Sequence, residues 1–259
     1  MKRIMQTVAV AVGLSCVLAV SDPGVASAQE ANGFGEKGEL IVTADRLMPL
    51  LSYSSETVTI NQNNQDTKES ESGTSIALLL GREPRLAVNP HSVPRVAIDY
   101  TVINHLTIGG SFVLAFGLGG TQKTETGPNS QSNDAPKASV VGFAPRVGYV
   151  LPLGHVFGFW PRAGLAFYSI SQKQDRVAGN GNKSTISDTD SIWSLDLDPQ
   201  FVWVPLQHFF MHFGPLLNIP FAGSRSTETV TGSTTNTTKS DLSVFHFGVS
   251  AGLGGWFDL

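Results

Sequence analysis

Six charged residues lie within otherwise apolar stretches of this sequence, and their types suit ionic pairing. They are Arg95, Asp99, Arg146, Arg162, Asp196 and Asp198. Four further polar residues occupy the same stretches: Gln200, His212, Asn218 and His246. Three arginines balance three aspartates, and buried charges are stable only when they are paired. If these residues share a buried face, the sequence predicts a network of salt bridges on that face.

The spacing of the histidines gives little support for catalysis. His246 and Ser250 are separated by about 13 Å along an extended strand, which is beyond hydrogen-bond reach. The His-x-Ser-Asn pattern of known lipid hydrolases is absent, because Phe-Gly-Val follows His246. A pair between His212 and Asp198 is compatible with a hairpin but is not indicated by it. We therefore expect no catalytic residues, no enzyme activity and no cofactor.

The composition excludes several classes of protein. Of 259 residues, 41% are hydrophobic and 15% are charged, which is too apolar and too weakly charged for a disordered chain. The net charge of -4 and the lack of a basic cluster argue against a nucleic-acid partner. The single cysteine, Cys16, excludes a disulfide framework and a cysteine-based metal site.

The first 28 residues predict a cleaved secretory signal peptide. Two basic residues precede an apolar run over residues 7–20, and residues 26–28 form a small-x-small cleavage pattern. The run is shorter than the roughly 20 apolar residues that an anchoring helix needs. A lipoprotein anchored at Cys16 is the weaker alternative. We expect residues 29–259 to form one mature domain outside the cytoplasm.

Apolar residues then recur at every second position, which indicates β-strands. Between Leu106 and Leu118 the bulky residues occupy one face, and small or polar residues occupy the other. The chain from Phe245 to Leu259 alternates in the same way. A strand that crosses a membrane needs roughly 9 to 11 residues, whereas a strand of a soluble protein usually has about five or six. The length favours membrane strands, with a periplasmic β-sandwich as the alternative.

A unit of two strands joined by a tight turn occurs three times. Its descending arms cover residues 93–105, 144–155 and 198–208, and its ascending arms cover 106–120, 156–171 and 209–223. With residues 38–60 and 242–259, the pattern predicts an all-β, antiparallel, up-and-down barrel of eight strands. If residues 74–81 add strands to the barrel, the number becomes ten. Long polar loops are expected at residues 61–73, 121–138, 172–190 and 224–241.

In this register the charged and polar residues named above face the lumen, and the bulky apolar residues face lipid. An eight-stranded barrel is only wide enough for side chains to fill, so we expect a closed lumen plugged by the Arg/Asp network. Aromatic residues next to the short turns predict a girdle at one membrane interface: Tyr100, Tyr149, Phe157, Phe159, Trp203, Phe209 and Phe213. The three turn histidines, at positions 105, 155 and 208, lie in separate turns, so we expect no metal site.

Three features together carry a resemblance to a known family: the signal peptide, the segment NPHSVPRVAIDYTVINHLTIGGSF at residues 89–112 and the closing segment GGWFDL at residues 254–259. The sequence resembles bacterial outer-membrane β-barrel proteins, in particular the small OmpA-like and OmpX-like barrels, in a form associated with myxobacteria-like envelopes. The family's C-terminal strand usually ends in an aromatic residue, whereas this chain ends in Leu259. The resemblance implies an assembly signal formed by Phe245, Phe247, Val249, Phe257 and Leu259.

The resemblance also implies the location and the partners. We expect an outer-membrane protein that contacts outer-membrane lipid and the barrel-assembly machinery. Its expected role is structural, in envelope integrity, or in adhesion to an extracellular ligand through the polar loops, which are carried by a rigid scaffold. A small-solute pore or gated channel is the alternative, and a lipid hydrolase is a remote one.

Overall fold

A computed structural model describes residues 33–62, 65–76, 90–117, 120–126, 129–135, 137–177 and 183–259. These residues form twelve β-strands: β1 (Glu39–Gln62), β2 (Gln65–Ile76), β3 (Arg95–Ile103), β4 (Leu106–Gly117), β5 (Gly120–Thr126), β6 (Asn129–Ala135), β7 (Lys137–Tyr149), β8 (Leu151–Pro152), β9 (Phe157–Val177), β10 (Lys183–Leu206), β11 (Phe209–Thr231) and β12 (Thr234–Asp258). In the described ranges, no helix has the length and apolar character needed to cross a membrane. The predicted signal peptide lies outside the described residues.

Eight of the strands close into a ring. Antiparallel pairing runs from β1 through β3, β4, β7, β9, β10, β11 and β12. The ring closes where β12 pairs with β1, from Glu39 opposite Asp258 to Thr59 opposite Asp241. The fold is therefore an all-β up-and-down barrel, and the prediction of eight strands is confirmed.

Residues 74–81 were expected either to extend a hairpin or to add strands to the barrel. This segment begins inside β2. Thr74, Ser75 and Ile76 pair with residues 51–53 of β1 and extend the β1–β2 hairpin. This pairing agrees with the interpretation that the segment prolongs a hairpin. The rest of the segment lies outside the described residues.

Side chains of the ring strands alternate between the lumen and the outer surface, except at a β-bulge in β1. On β10, Gln200 and Val202 are fully buried inside the ring, whereas Trp193 and Trp203 are about two-fifths exposed on the outside. The two tryptophans bound the apolar outer band. They are ten residues apart on a tilted strand, so the band is about 26 Å tall. This height matches the hydrocarbon layer that an outer-membrane type of barrel spans.

Each end of the band carries outward-facing aromatic rings. At the end with the short turns, hereafter the turn end, the predicted girdle residues Tyr100, Tyr149, Phe157, Trp203 and Phe213 are 40 to 53% exposed. At the opposite end, hereafter the hairpin end, the rings of Phe143, Phe167, Trp193 and Phe221 form a connected outer cluster. The sequence analysis predicted the first girdle and missed the second.

The polar segments predicted as loops are mostly β-hairpins, which corrects the sequence analysis. Strands β9 and β10 stay paired from Trp203 opposite Phe157 to Lys183 opposite Val177, through the predicted loop 172–190. Strands β11 and β12 pair up to Thr231 opposite Thr234, through the loop 224–241. The described parts of 61–73 and 121–138 also pair as hairpins. Apolar alternation cannot reveal these strands, because both of their faces are polar.

Candidate functional site

The barrel lumen holds every polar residue that the sequence assigned to the inward face. Each of the following is 8% exposed or less: Arg95, Asp99, Arg146, Arg162, Asp196, Asp198, Gln200, His212, Asn218 and His246. They lie between two apolar layers, one at each end of the lumen.

An aromatic plug, formed by Phe34, Trp160, Phe210 and Trp256, fills the lumen at the turn end. The ring centroid of Phe34 lies 4.8 Å from that of Phe210, 5.3 Å from Trp256 and 5.6 Å from Trp160. All four side chains are 2% exposed or less. Three of them come from ring strands, whereas Phe34 precedes β1. The segment before the first strand therefore completes the closure.

The N-terminal turn, residues 33–38, is tied to the barrel by hydrogen bonds. The backbone N–H of His105 donates to the carbonyl of Gly35 at 2.7 Å, and the N–H of Gly35 donates to Glu39 Oε2 at 2.7 Å. Gly35 has φ of 95°, and a Cβ at this position would meet the Val150 side chain at 3.0 Å. The turn therefore requires glycine at position 35.

Asp45 is the centre of an ionic layer above the plug. Its carboxylate accepts hydrogen bonds from Arg146 Nη1 at 2.5 Å and Arg162 Nη1 at 3.3 Å. Arg146 also donates from Nε and Nη2 to the two oxygens of Asp99, at 2.9 and 2.5 Å. Arg162 donates from Nη2 to Asp198 at 2.5 Å. Two arginines thus link three carboxylates, and the two-pronged Arg–carboxylate geometry is a strong form of this bond.

His212 and Gln200 complete this ionic layer. His212 Nε2 lies 3.1 Å from Asp45 Oδ1, and His212 Nδ1 lies 3.1 Å from Gln200 Oε1. Gln200 Nε2 donates to Asp198 Oδ1 at 2.5 Å, which fixes the orientation of the amide. The His212 ring therefore lies between the Asp45 carboxylate and the Gln200 amide.

The sequence analysis missed Asp45 and Arg46. Asp45 continues the inward-facing alternation that begins at Glu39, so counting by twos through β1 could have found it. Arg46 is the next residue and is also buried, because a register shift after Ala44 and a φ of 57° at Arg46 form a β-bulge. The described lumen therefore holds four arginines and four aspartates rather than the predicted three of each.

A second ionic group lies further towards the hairpin end. Arg46 Nη2 is 3.4 Å from Asp196 Oδ2, and Arg95 Nη1 is 3.6 Å from the same oxygen. Asn218 Nδ2 donates to the other Asp196 oxygen. Two guanidinium groups therefore share one carboxylate here, at longer distances than in the Asp45 group.

The segment of residues 90–94, which precedes β3, enters the lumen beside these arginines. Arg46 Nη1 donates to the His91 carbonyl at 2.5 Å, and Arg95 Nη2 donates to the Pro90 carbonyl at 3.3 Å. The His91 ring is fully buried and stacks on His246 with centroids 5.7 Å apart. Residues 93–94 were expected to begin a descending strand, but β3 begins at Arg95, and the burial of His91 has no periodic signal in the sequence.

Apolar side chains cap the lumen at the hairpin end. The buried members of this cap are Val113, Val140, Ala144, Ala166, Tyr168, Ile170, Ile192, Leu242 and Val244. Val93 of the inserted segment packs against them. The described side chains thus occupy the lumen from the aromatic plug to this cap, apart from a small cavity among the arginines.

A serine and a histidine from neighbouring strands meet inside the lumen. Ser54 Oγ and His246 Nδ1 are 3.1 Å apart, although the residues are 192 positions apart in sequence. Such a pair is one element of nucleophilic catalysis. Both residues are nevertheless enclosed, at 6% and 1% exposure, which leaves a substrate no direct access. Within the described ranges, no group of three or more His, Cys, Asp or Glu is arranged to hold a metal.

One ion-pair cluster lies outside the apolar band, where β1, β10 and β11 extend into hairpins. Arg225 donates from Nε and Nη2 to Asp190, at 2.7 and 2.8 Å, and its Nη1 is 2.8 Å from Glu56 Oε1. The hydrogen bond to Asp190 raises the pKa of the Arg225 guanidinium above its usual range. The cluster links the bases of three hairpins: β1–β2, β9–β10 and β11–β12.

The residues assigned to an assembly signal lie on the outer face of the closing strand. Phe247, Phe257 and Leu259 are exposed, and Phe245 and Val249 are partly exposed. All five therefore lie on the lipid-facing surface next to the β1–β12 seam.

Solved structures similar to this chain are bacterial outer-membrane β-barrel proteins. The outer membrane protein OprG from Pseudomonas aeruginosa has a TM-score of 0.49 and 10% identity, covering 86% of this chain and 98% of its own. The attachment invasion locus protein Ail of Yersinia pestis has a TM-score of 0.33 and 11% identity, covering 86% and 100%. The outer membrane protease OmpT from Escherichia coli has a TM-score of 0.37 and 8% identity, covering 91% and 100%. No protein-family model matches the sequence, and no curated protein matches it.

Proposed function

We propose that this protein is a bacterial outer-membrane barrel with a closed lumen, which holds polar hairpins at the cell surface for envelope integrity or adhesion. The observation that carries the proposal is the filling of the lumen by three successive layers, two apolar and one ionic. A solute would have to displace paired charges and packed rings to pass. The lumen side chains therefore support the barrel, and any extracellular ligand is bound by the hairpins.

The charged layer favours a permanent closure over an open pathway. Asp45 is held by two arginines and approached by His212, so opening a path would separate several buried pairs at once. Breaking one such pair by removing a partner costs about 3–5 kcal/mol. Thermal fluctuations rarely supply that energy, which opposes the alternative of a small-solute pore.

The hairpins supply the surface for binding. Strands β11 and β12 continue for several residue pairs past the Arg225 cluster, and their side chains are mostly Ser, Thr and Asn. Paired strands hold these side chains at fixed spacing, so a ligand meets an ordered surface rather than a loose loop. Outer-membrane lipid at the apolar band and the assembly machinery at the closing strand are the other proposed partners.

We further propose that the protein is not an enzyme. The buried Ser54–His246 pair supports this assignment, because neither side chain reaches the surface. A lipid hydrolase needs a nucleophile that is open to lipid or water. The corresponding test is phospholipid and peptide turnover by the wild-type protein and by Ser54→Ala, with equal background rates expected for both.

Single-channel recording tests the closed lumen directly. Protein comprising residues 29–259 is refolded, shown to migrate differently before and after boiling, and inserted into a planar bilayer. Silence from inserted protein is expected. Steady openings that change when Arg146 or Arg162 is neutralised would replace this proposal with the gated pore.

Hairpin shortening tests the surface role. Residues 226–239 are replaced by Asn-Gly, which joins Arg225 to Ser240 through a two-residue turn at an existing pair. In a second variant, residues 60–67 are replaced by the same Asn-Gly turn between the paired Thr59 and Lys68. Adhesion of cells to mucin-coated and fibronectin-coated wells and to one another is then measured. Loss of adhesion in one variant with normal assembly supports the proposal, and unchanged adhesion in both refutes it.

A further inference from the structure

A small cavity lies within the charged part of the lumen. Its volume is about 20 Å³, enough for one particle of about the size of a water molecule. Four arginines and two aspartates are among its lining residues: Arg46, Arg95, Arg146, Arg162, Asp196 and Asp198. The lining therefore has twice as many guanidinium groups as carboxylates.

The carboxylates are distributed unevenly between the four arginines. Arg146 contacts both Asp45 and Asp99, and Arg162 contacts both Asp45 and Asp198. Arg46 and Arg95, by contrast, share the single carboxylate of Asp196, at 3.4 and 3.6 Å. Among the described residues they also donate to backbone carbonyls, and the Arg95 guanidinium lies 5.4 Å from the Tyr168 ring centroid. Two guanidinium groups therefore face one described carboxylate at this level, although the described lumen as a whole holds four arginines and four aspartates. Protonation of His91 or His246 would only add to the excess.

Donor atoms at the cavity are also left without acceptors. The Nε–H groups of Arg46, Arg95 and Arg162 are buried, and none has a hydrogen-bond partner among the described residues. All three arginines line the cavity. A buried donor without an acceptor and a buried charge without a counter-charge are both costly, and one bound anion would relieve both costs.

We propose that this cavity binds a small monovalent inorganic anion of the chloride class. The cavity volume of about 20 Å³ suits a single small ion better than phosphate or sulfate. The local excess of guanidinium groups favours an anion over a water molecule, and the apolar cap lies on the hairpin side of the site. The ion is a structural ligand, so its binding does not depend on whether the hairpins bind anything.

Bromide identifies such a site because it scatters X-rays anomalously and substitutes for chloride. Crystals of the refolded protein grown in sodium bromide should show an anomalous peak in the cavity, in contact with arginine N–H groups. In solution, the unfolding midpoint should be higher in sodium chloride than in sodium gluconate at equal ionic strength. An anion at ten times its Kd raises the ratio of folded to unfolded protein about elevenfold.

Two lumen variants and one control distinguish chloride binding in the cavity from general effects of salt on stability. Arg46→Gln removes the excess charge, and Ala144→Val fills the cavity while keeping all four arginines. Both should lose the chloride-dependent stabilisation, whereas Arg225→Gln, outside the lumen, should retain it. Ala144→Val keeps the test decisive if Arg46→Gln does not fold.

A cavity without bromide, together with equal midpoints in chloride and gluconate, would show that water fills the site and would overturn the proposal. Bromide bound only at the protein surface would likewise overturn the proposal. Conductance is recorded separately, so a conducting barrel with bromide in the cavity would refute the closed lumen and leave the anion site standing.

Discussion

Replacement of Asp45 by asparagine should be the most damaging single isosteric change in the lumen. The asparagine keeps the shape of the side chain but removes the charge that Arg146, Arg162 and His212 share. It also turns an amide donor towards guanidinium donors. The ionic layer would then keep two carboxylates, Asp99 and Asp198, for two arginines and a histidine.

The size of the effect follows from the remaining contacts. Removing one partner of a buried ion pair costs about 3–5 kcal/mol. Arg146 retains Asp99 and Arg162 retains Asp198, so the lower end, about 3 kcal/mol, is expected. For an unfolding slope of about 2 kcal/mol per M urea, the midpoint should fall by about 1.5 M.

Urea unfolding in lipid vesicles, followed by the boiling-dependent gel shift, measures this change. Asp175→Asn is the matched control, because Asp175 is exposed and accepts one hydrogen bond from Thr185 at 2.7 Å. The control removes the same charge and should move the midpoint by less than about 0.5 M. If the two variants unfold at the same urea concentration, the ionic layer does not stabilise the barrel and the reasoning fails.

Four other substitutions test the aromatic plug, the apolar outer band and the assembly signal. Phe34→Ala should destabilise the barrel by about 3–5 kcal/mol, measured in the same urea assay, because it removes the central ring of the aromatic plug. Leu197→Arg, near the middle of the apolar band, should cost about 2–4 kcal/mol, and Trp203→Arg at its edge about 0–1 kcal/mol. Equal destabilisation by Leu197→Arg and Trp203→Arg would show that Leu197 does not lie closer to the middle of the membrane than Trp203. Phe257→Ala should slow assembly into the outer membrane, scored by the heat-modifiable fraction in membrane extracts; an unchanged fraction would argue against the assembly signal.

The barrel itself could be predicted because lipid and lumen impose opposite demands on alternate residues. Every strand that crosses the band carries this alternation, so the register of Asp99, Arg146 and Asp198 followed from counting by twos. The short turns were also predictable, since each descending arm ends at a histidine. His105 and His208 adopt positive φ values of 73° and 62° in those turns.

Alternation does not predict the places where the period of two is broken. It also gives no signal where the two faces of a strand have the same polarity. The bulge at Arg46 places two consecutive residues inside, which no alternation rule anticipates. The hairpins beyond the band are polar on both faces, so only backbone pairing reveals them. Phe34 and His91 lie outside the ring strands, and their burial depends on where the fold leaves space.

These exceptions have one physical cause. Eight strands enclose the lumen, but the inward side chains that alternation supplies do not fill it on their own. At the turn end, where strand residues leave room, Phe34 fills the gap. Midway, the bulge adds Arg46, and near the hairpin end the segment of residues 90–94 adds His91 and two carbonyl acceptors for Arg46 and Arg95. The closure of the lumen is thus built by segments that the barrel pattern does not specify, which makes these segments the most informative positions to vary.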